Sequence, residues 1–286
     1  MHGHGCANGA GTIVNAIAIW KGAAFCIDLK TTADVNLDEC SDAGDGDAGR
    51  IIGRIENADT ADTALITRCV SLVLDRFGYR CDGVVTTRSE IPIARGLKSS
   101  SAAANATVLA TLDAIGETLP LMDVVSMGVR AALDVGVTIT GAFDDACASA
   151  LGGIVITDNR NMELVERLVY ESDVLIYLPE EKAFTADTDV TRSKAIAPLV
   201  EVAYRLALDH DFENAMTLNG LLYCAALGFD TEIVMGALEI GVLGVGLSGT
   251  GSAYTALVGR DQIQELKGCW SDMGGSVIQT RIVNKL

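Results

Sequence analysis

One segment, Glu90–Asn105, constrains the fold of this chain more than any other: Glu-Ile-Pro-Ile-Ala-Arg-Gly-Leu-Lys-Ser-Ser-Ser-Ala-Ala-Ala-Asn. A β-rich run reaches a proline, turns at Gly96, meets three hydroxyls and continues as alanines with strong helix propensity. The chain therefore passes from strand to helix within a few residues. The first N–H groups of such a helix have no intrahelical partners, and its N-terminus carries a partial positive charge that suits a phosphate. Arg95 and Lys98 add countercharge on the same loop. The plainer reading is a helix capped by serine. The Walker pattern GxxxxGK[ST] is not present.

With 30 glycines and only four prolines, the turns of this chain depend on glycine's access to positive φ. Its 286 residues are 49% hydrophobic and 21% charged, which excludes a disordered chain despite a net charge of −17. That acidity argues against a nucleic-acid partner, because phosphate contacts need clustered Lys and Arg. The eight cysteines form no CxxC pair, so zinc-ribbon and thioredoxin readings have no support, and a reduced, cytoplasmic protein is expected. The amino-terminal run lacks the basic start of a signal peptide. The uncharged stretch Ile240–Val258 carries five glycines and reads as a turn between strands rather than a membrane span.

Residues 11–30 read as a hairpin of two strands, TIVNAIAIW and AAFCIDL, joined at Lys21-Gly22. Residues 34–62 hold nine acids and read as strands and loops on a solvated face, without the spacing of a calcium loop. Helices are expected over 62–77, 99–115, 121–133, 147–151, 193–209, 212–226, 230–238 and 261–268. Strands are expected over 83–91, 154–158, 173–178, 252–258 and 276–283. This alternation lacks parallel βαβ regularity, so an α+β fold in two packed layers is expected, with a boundary near Asn159 separating domains 1–158 and 159–286.

Two further stretches carry chemistry. Gly244-x-Gly246-x-x-Gly249 satisfies a dinucleotide fingerprint, but AYTALV after it reads as strand where a helix is required. A turn that approaches a ligand closely fits better. In Asp134–Gly153, carboxylates at 134, 144 and 145 flank a Thr- and Gly-containing loop; they could ligate Mg²⁺ or accept a proton from a hydroxyl. Asp144 and Asp145 also suit a helix N-terminus for purely structural reasons.

Together the stretches resemble one family. PIARGLKSSSAA is similar to the PxxxGLGSSAA phosphate loop of the GHMP small-molecule kinases, and the aspartate segment ending in Gly-Gly and the loop GVGLSGTGSAY follow in that family's chain order. The resemblance runs from Asn8 to Leu257. Lys98 departs from the usual glycine, and Ser101 stands for an alanine. GLKSSSAAANA, TITGAFDDA and TIVNAIAIWKGAAF most resemble the archaeal-type shikimate kinases, with homoserine kinase as the alternative.

The resemblance implies a two-domain α+β kinase with ATP and a small-molecule alcohol, shikimate, in the cleft, acting in the shikimate pathway to aromatic amino acids. It implies Mg²⁺ as cofactor, no membrane partner, and a monomer or homodimer. Pro92, Ile93, Ala94, Arg95, Gly96, Leu97, Lys98, Ser99, Ser100, Ser101 and Ala102 would hold the ATP phosphates. Ser100 and Asp134 would ligate the metal, and Asn15, Thr140, Arg192, Gly249, Thr250 and Gly251 would bind substrate. Lys98 would sit beside the β- or γ-phosphate, and Arg192, with Lys194 as its substitute, would grip a carboxylate. Two family spacings make Asp145 the proton acceptor, since it stands seven residues before Gly152 and eleven after Asp134; a third, three residues after Gly141, selects Asp144. Two rival classes remain: a dehydrogenase using the 244–249 glycines, and a non-catalytic metabolite-binding member of the fold.

Overall fold

The structure, a computed structural model, describes residues 1–38, 41–42, 49–58, 60–138, 140–180 and 190–284. It is a mixed α/β molecule with two main sheets. The first is built on a long strand, β2 (Lys21–Leu37), flanked along one edge by antiparallel β1 (His2–Val14). The short pair β3 (Ser41–Asp42) and β5 (Tyr79–Arg80) lies apart. The other edge of β2 is shared: β6 (Gly83–Ser89) pairs with residues 31–37 and β7 (Ile154–Asp158) with residues 21–25. Parallel β4 (Ile51–Ile55) extends β6, and β8 (Glu163–Leu168) extends β7. Helices α1 (Ala64–Phe77), α2 (Ser99–Ile115), α3 (Leu121–Asp134) and α4 (Phe143–Leu151) pack together, with α2 and α4 seated on β1 and β2.

The second sheet has the antiparallel order β10 (Gly244–Leu247), β11 (Tyr254–Val258), β9 (Asp173–Pro179), β12 (Gly275–Arg281). It packs with α6 (Phe212–Leu227), α7 (Glu232–Ile240) and α8 (Ile263–Asp272), while α5 (Ser193–Leu208) packs on α6 and reaches β1 and β2 of the first sheet. One apolar core runs through both halves, from Ile13, Phe25 and Leu97 to Leu175, Tyr223 and Trp270. The mixed α+β architecture is the one expected.

Four local readings change. Asn15–Trp20 is a turn and not the end of a strand, with Trp20 N–H donating to the Ala16 carbonyl at 2.7 Å. The hairpin is longer, beginning at His2, because Gly3 and Gly5 are strand residues that let α2 approach: a Cβ at either would lie 2.2 Å from the carbonyl oxygen of Ala110 or Ala106. Gly244 and Gly246 are also strand residues, where glycine lets α6 pack on β10; a Cβ on Gly220 would lie 2.4 Å from the Gly246 Cα. The short helix before Gly152 starts at Phe143 and so carries Asp144 and Asp145 in its first turn. Among the described cysteines, six are free and Cys81 is disulfide-bonded, which corrects the fully reduced reading.

Candidate active site

The turn between β6 and α2 has a backbone that few sequences adopt. Ala94, Gly96 and Lys98 take φ of 57°, 83° and 64°, alternating left-handed residues that curl the loop into a concavity for an anion. α2 starts without a side-chain cap or an acid in its first turn, and Ala102 N–H donates to the Lys98 carbonyl at 3.1 Å. The N–H groups of Ser99, Ser100 and Ser101 are thus the helix's unpaired donors. They open on a cavity of about 310 Å³ that also takes in Ile93, Gly96, Lys98 and Thr138.

A second cavity, about 240 Å³, adjoins it; Asn15, Ile17, Thr140 and Asp144 line it, and it shares Lys98, Thr138, Asp145, Gly249 and Thr250 with the first. The common wall holds an ion pair. Lys98 Nζ lies 3.0 Å from Asp145 Oδ2, with side chains only 12% and 9% exposed. Burial, reinforced by the neighbouring Asp144 charge and opposed by Lys98, pushes the Asp145 carboxyl up to about 7. Asp145 Oδ1 is buried and has no hydrogen-bond partner.

The glycine loop closes this wall from the second sheet. A Cβ at Gly96 would lie 2.0 Å from the Ser248 carbonyl oxygen, and one at Gly251 would lie 2.3 Å from Gly96 N, so both positions exclude any side chain. Ser248 Oγ donates to the Gly96 carbonyl at 2.8 Å, and Gly249 N–H donates to Thr12 Oγ1 at 3.0 Å. Asn15 Nδ2 donates to the Gly249 carbonyl at 3.0 Å, while Asn15 N–H donates to Asn219 Oδ1 at 3.1 Å.

The sequence-derived residues fall into two groups. Ile93, Ala94, Gly96, Lys98, Ser99, Ser100, Ser101, Asn15, Thr140, Asp144, Asp145, Gly249, Thr250 and Gly251 line the two cavities. Pro92, Leu97 and Ala102 do not; Leu97 and Ala102 are core residues. Arg95 is turned away, its Nη1 donating to the Pro179 carbonyl at 2.9 Å and to Ser252 Oγ at 2.8 Å, so it fastens the loop to the second sheet. Asp134 also stands apart from the cavities. It closes α3, where Arg68 donates to Oδ2 from Nη2 at 2.7 Å and Arg130 donates to Oδ1 at 2.8 Å. Those two arginines hold its carboxyl below the usual range, and it lines neither cavity. Arg192 is exposed just before α5 and lines neither cavity; of the loop that leads to it, residues 185–189 lie outside the described residues.

Thr12, Thr138, Asn219 and Asn159 were not anticipated. Asn219 carried a signal, a buried polar group in the apolar run LNGLL; Thr12 and Thr138 carried none.

An uncapped helix N-terminus opening on one cavity, set against a second polar chamber across a buried Lys–Asp pair, has the parts that a small-molecule phosphotransferase needs. The family description "GHMP kinases N terminal domain" matches residues 64–153. A shikimate kinase of Methanosarcina mazei is 62% identical over 286 residues, covering 99% of this chain and 95% of that protein. The shikimate kinase of Halobacterium salinarum is 47% identical, covering 98% and 96%. Among solved structures, the mevalonate kinase of Methanococcus jannaschii superposes with a TM-score of 0.78 at 17% identity, covering 99% of both chains. The chain belongs to the GHMP kinase family, alongside these archaeal relatives.

Proposed function

We propose that this protein is a shikimate kinase that transfers the γ-phosphoryl group of ATP to the 3-hydroxyl of shikimate, giving shikimate 3-phosphate and ADP. The observation that carries the reading is the shared wall: an anion-binding loop and a polar acceptor chamber meet at Lys98 and Asp145. The shikimate kinase name of the archaeal relatives supports the choice of acceptor.

The N–H groups of Ser99–Ser101 hold the phosphates, and the Lys98 ammonium neutralises charge as the phosphoryl group moves. Ionised Asp145 takes the proton of the 3-hydroxyl, whose oxygen bonds to the γ-phosphorus as the bond to ADP breaks. Most of the acceleration comes from holding the two substrates in line. The exposed Ser100 hydroxyl, an oxygen donor that a hard cation favours, would hold Mg²⁺. Asp134, held by Arg68 and Arg130, does not fit that role. When bound, the ion offsets negative charge on the β- and γ-phosphates. Arg192, next to buried Ser193 at the start of α5, is assigned to the shikimate carboxylate. The domain division near Asn159 remains our reading, although β8 lies beyond it and pairs with β7. We place the enzyme in the cytoplasm as a monomer or homodimer; no helix among the described residues is long and apolar enough to cross a membrane.

The test is ADP release with MgATP and a panel of shikimate, homoserine, mevalonate and galactose. Turnover of shikimate is expected. Turnover of homoserine alone would replace the reading with homoserine kinase.

A further inference from the structure

Behind the acceptor chamber lies a buried polar relay that the reaction as described does not use. Thr157 Oγ1 donates to Asn159 Oδ1 at 2.7 Å, and Asn159 Nδ2 donates to Asp144 Oδ1 at 2.8 Å. The three residues are 0%, 3% and 4% exposed. The relay has one sense, since a hydroxyl donates to the amide oxygen and the amide nitrogen donates to the carboxylate. Asn159 is itself fixed at the end of β7, its N–H donating to the Trp20 carbonyl at 2.8 Å. On the other side of the carboxylate, a Cβ at Gly22 would lie 2.5 Å from Asp144 Oδ2, so only glycine leaves room for it.

A buried carboxylate costs free energy unless hydrogen bonds satisfy it. Here one oxygen is satisfied by the protein, and the residue lines the acceptor chamber and not the phosphate chamber. Asp145 beside it points instead to Lys98. Adjacent residues on a helix point about 100° apart, so the pair divides the two tasks.

We propose that Asn159 is a positioning residue that, backed by Thr157, clamps Asp144 as the hydrogen-bond acceptor for a non-reacting hydroxyl of the polyol substrate. The inference rests on the shikimate reading, which supplies two such hydroxyls, at C4 and C5. A site built to pair a hydroxyl discriminates strongly against an analogue that lacks it.

The experiment compares the parent with Asn159→Ala, Thr157→Val and Asp144→Asn, using shikimate and its 4-deoxy and 5-deoxy analogues. Asn159→Ala should raise the shikimate KM by about tenfold, as expected for a misplaced charged hydrogen bond, and leave the ATP KM within twofold. Thr157→Val, which keeps the packing, should act in the same direction by a smaller factor. One deoxy analogue should be poor for the parent but lose nothing further in Asp144→Asn, because the same bond is already absent. Equal changes in both KM values, or an analogue penalty that persists undiminished in Asp144→Asn, would overturn the clamp. Should the parent not turn over shikimate, the functional reading falls separately. The clamp is then read from the same KM split with whichever alcohol of the panel is phosphorylated. Melting curves identify a variant that fails to fold, and in that case Thr157→Val decides.

Discussion

Asp145 combines a buried carboxylate, a neighbouring Asp144 and one compensating cation, and each affects its proton affinity differently. Its pKa of about 7, raised by burial and Asp144, matches a base that must both accept and release a proton near neutrality. Asp145→Asn should lose 10²–10⁴-fold in kcat with little change in ATP affinity, the scale of a positioned base. Retained kcat there, with collapse in Asp144→Asn, would transfer the role to Asp144. The same shift has a stability consequence. A carboxyl whose folded pKa is raised above that of a free carboxyl favours the folded state at low pH, and that contribution is lost as pH rises toward about 7. The melting temperature of Asp145→Asn relative to the parent should therefore climb between pH 4 and pH 8. A difference that is flat across this range would mean that Asp145 is not held protonated by the fold.

At the scale of elements, β1 and α2 are matched by what they lack. The strand alternates His2, Gly3, His4, Gly5 with the glycines buried, and α2 presents Ala106, Ala110 and Ala114 to them. Gly5→Ala should destabilise by more than the roughly 1–3 kcal/mol of ordinary core overpacking, because the obstructing atom is backbone and cannot rotate away. Urea unfolding would check it, with exposed His2→Ala as the control, expected within about 0.5 kcal/mol. A Gly5→Ala variant as stable as the control would mean that α2 sits farther from the strand. This contact was not legible in the sequence, since alternating glycines reduce the hydrophobic signal of a strand. The strand-to-helix turn at 90–105 was legible because Gly96, three serines and the alanines each fix a different local requirement. The direction of a side chain was not. Arg95 and Lys98 stand three residues apart on one loop, yet one faces the second sheet and the other the cavity, which only the three left-handed residues around them decide. Asp134 shows the same limit: its spacing from Asp145 is that of the family's metal ligand, yet Arg68 on another helix holds its carboxylate and it lines neither cavity.

Across the whole molecule, backbone hydrogen bonds among the described residues join the two sheets at two places. The chain end returns to the first sheet, where Gly153 N–H donates to the Val283 carbonyl at 2.6 Å and Val283 N–H donates to the Cys26 carbonyl at 3.2 Å. Gly152 and Gly153, at φ of 68° and 77°, leave room for that crossing. The other junction is the phosphate loop itself. The Arg95 guanidinium reaches Pro179 and Ser252, and its carbonyl accepts from Ala253 N–H at 3.0 Å, so one residue holds β9 and the glycine loop against the phosphate-binding turn. Because Gly249 and Thr250 border both cavities, loosening this junction should disturb both substrates. Arg95→Met should raise the KM for ATP and for shikimate together, by about tenfold for a lost charged hydrogen bond. Arg95→Lys separates the two roles the residue could have. A lysine restores positive charge but is shorter and lacks the Nη1 from which Arg95 reaches both the Pro179 carbonyl and Ser252 Oγ, so a strut should remain broken while a countercharge would be replaced. Matching KM values for the Met and Lys variants support the strut. Recovery of the parental ATP KM in Arg95→Lys, with shikimate unaffected throughout, would return Arg95 to the phosphates.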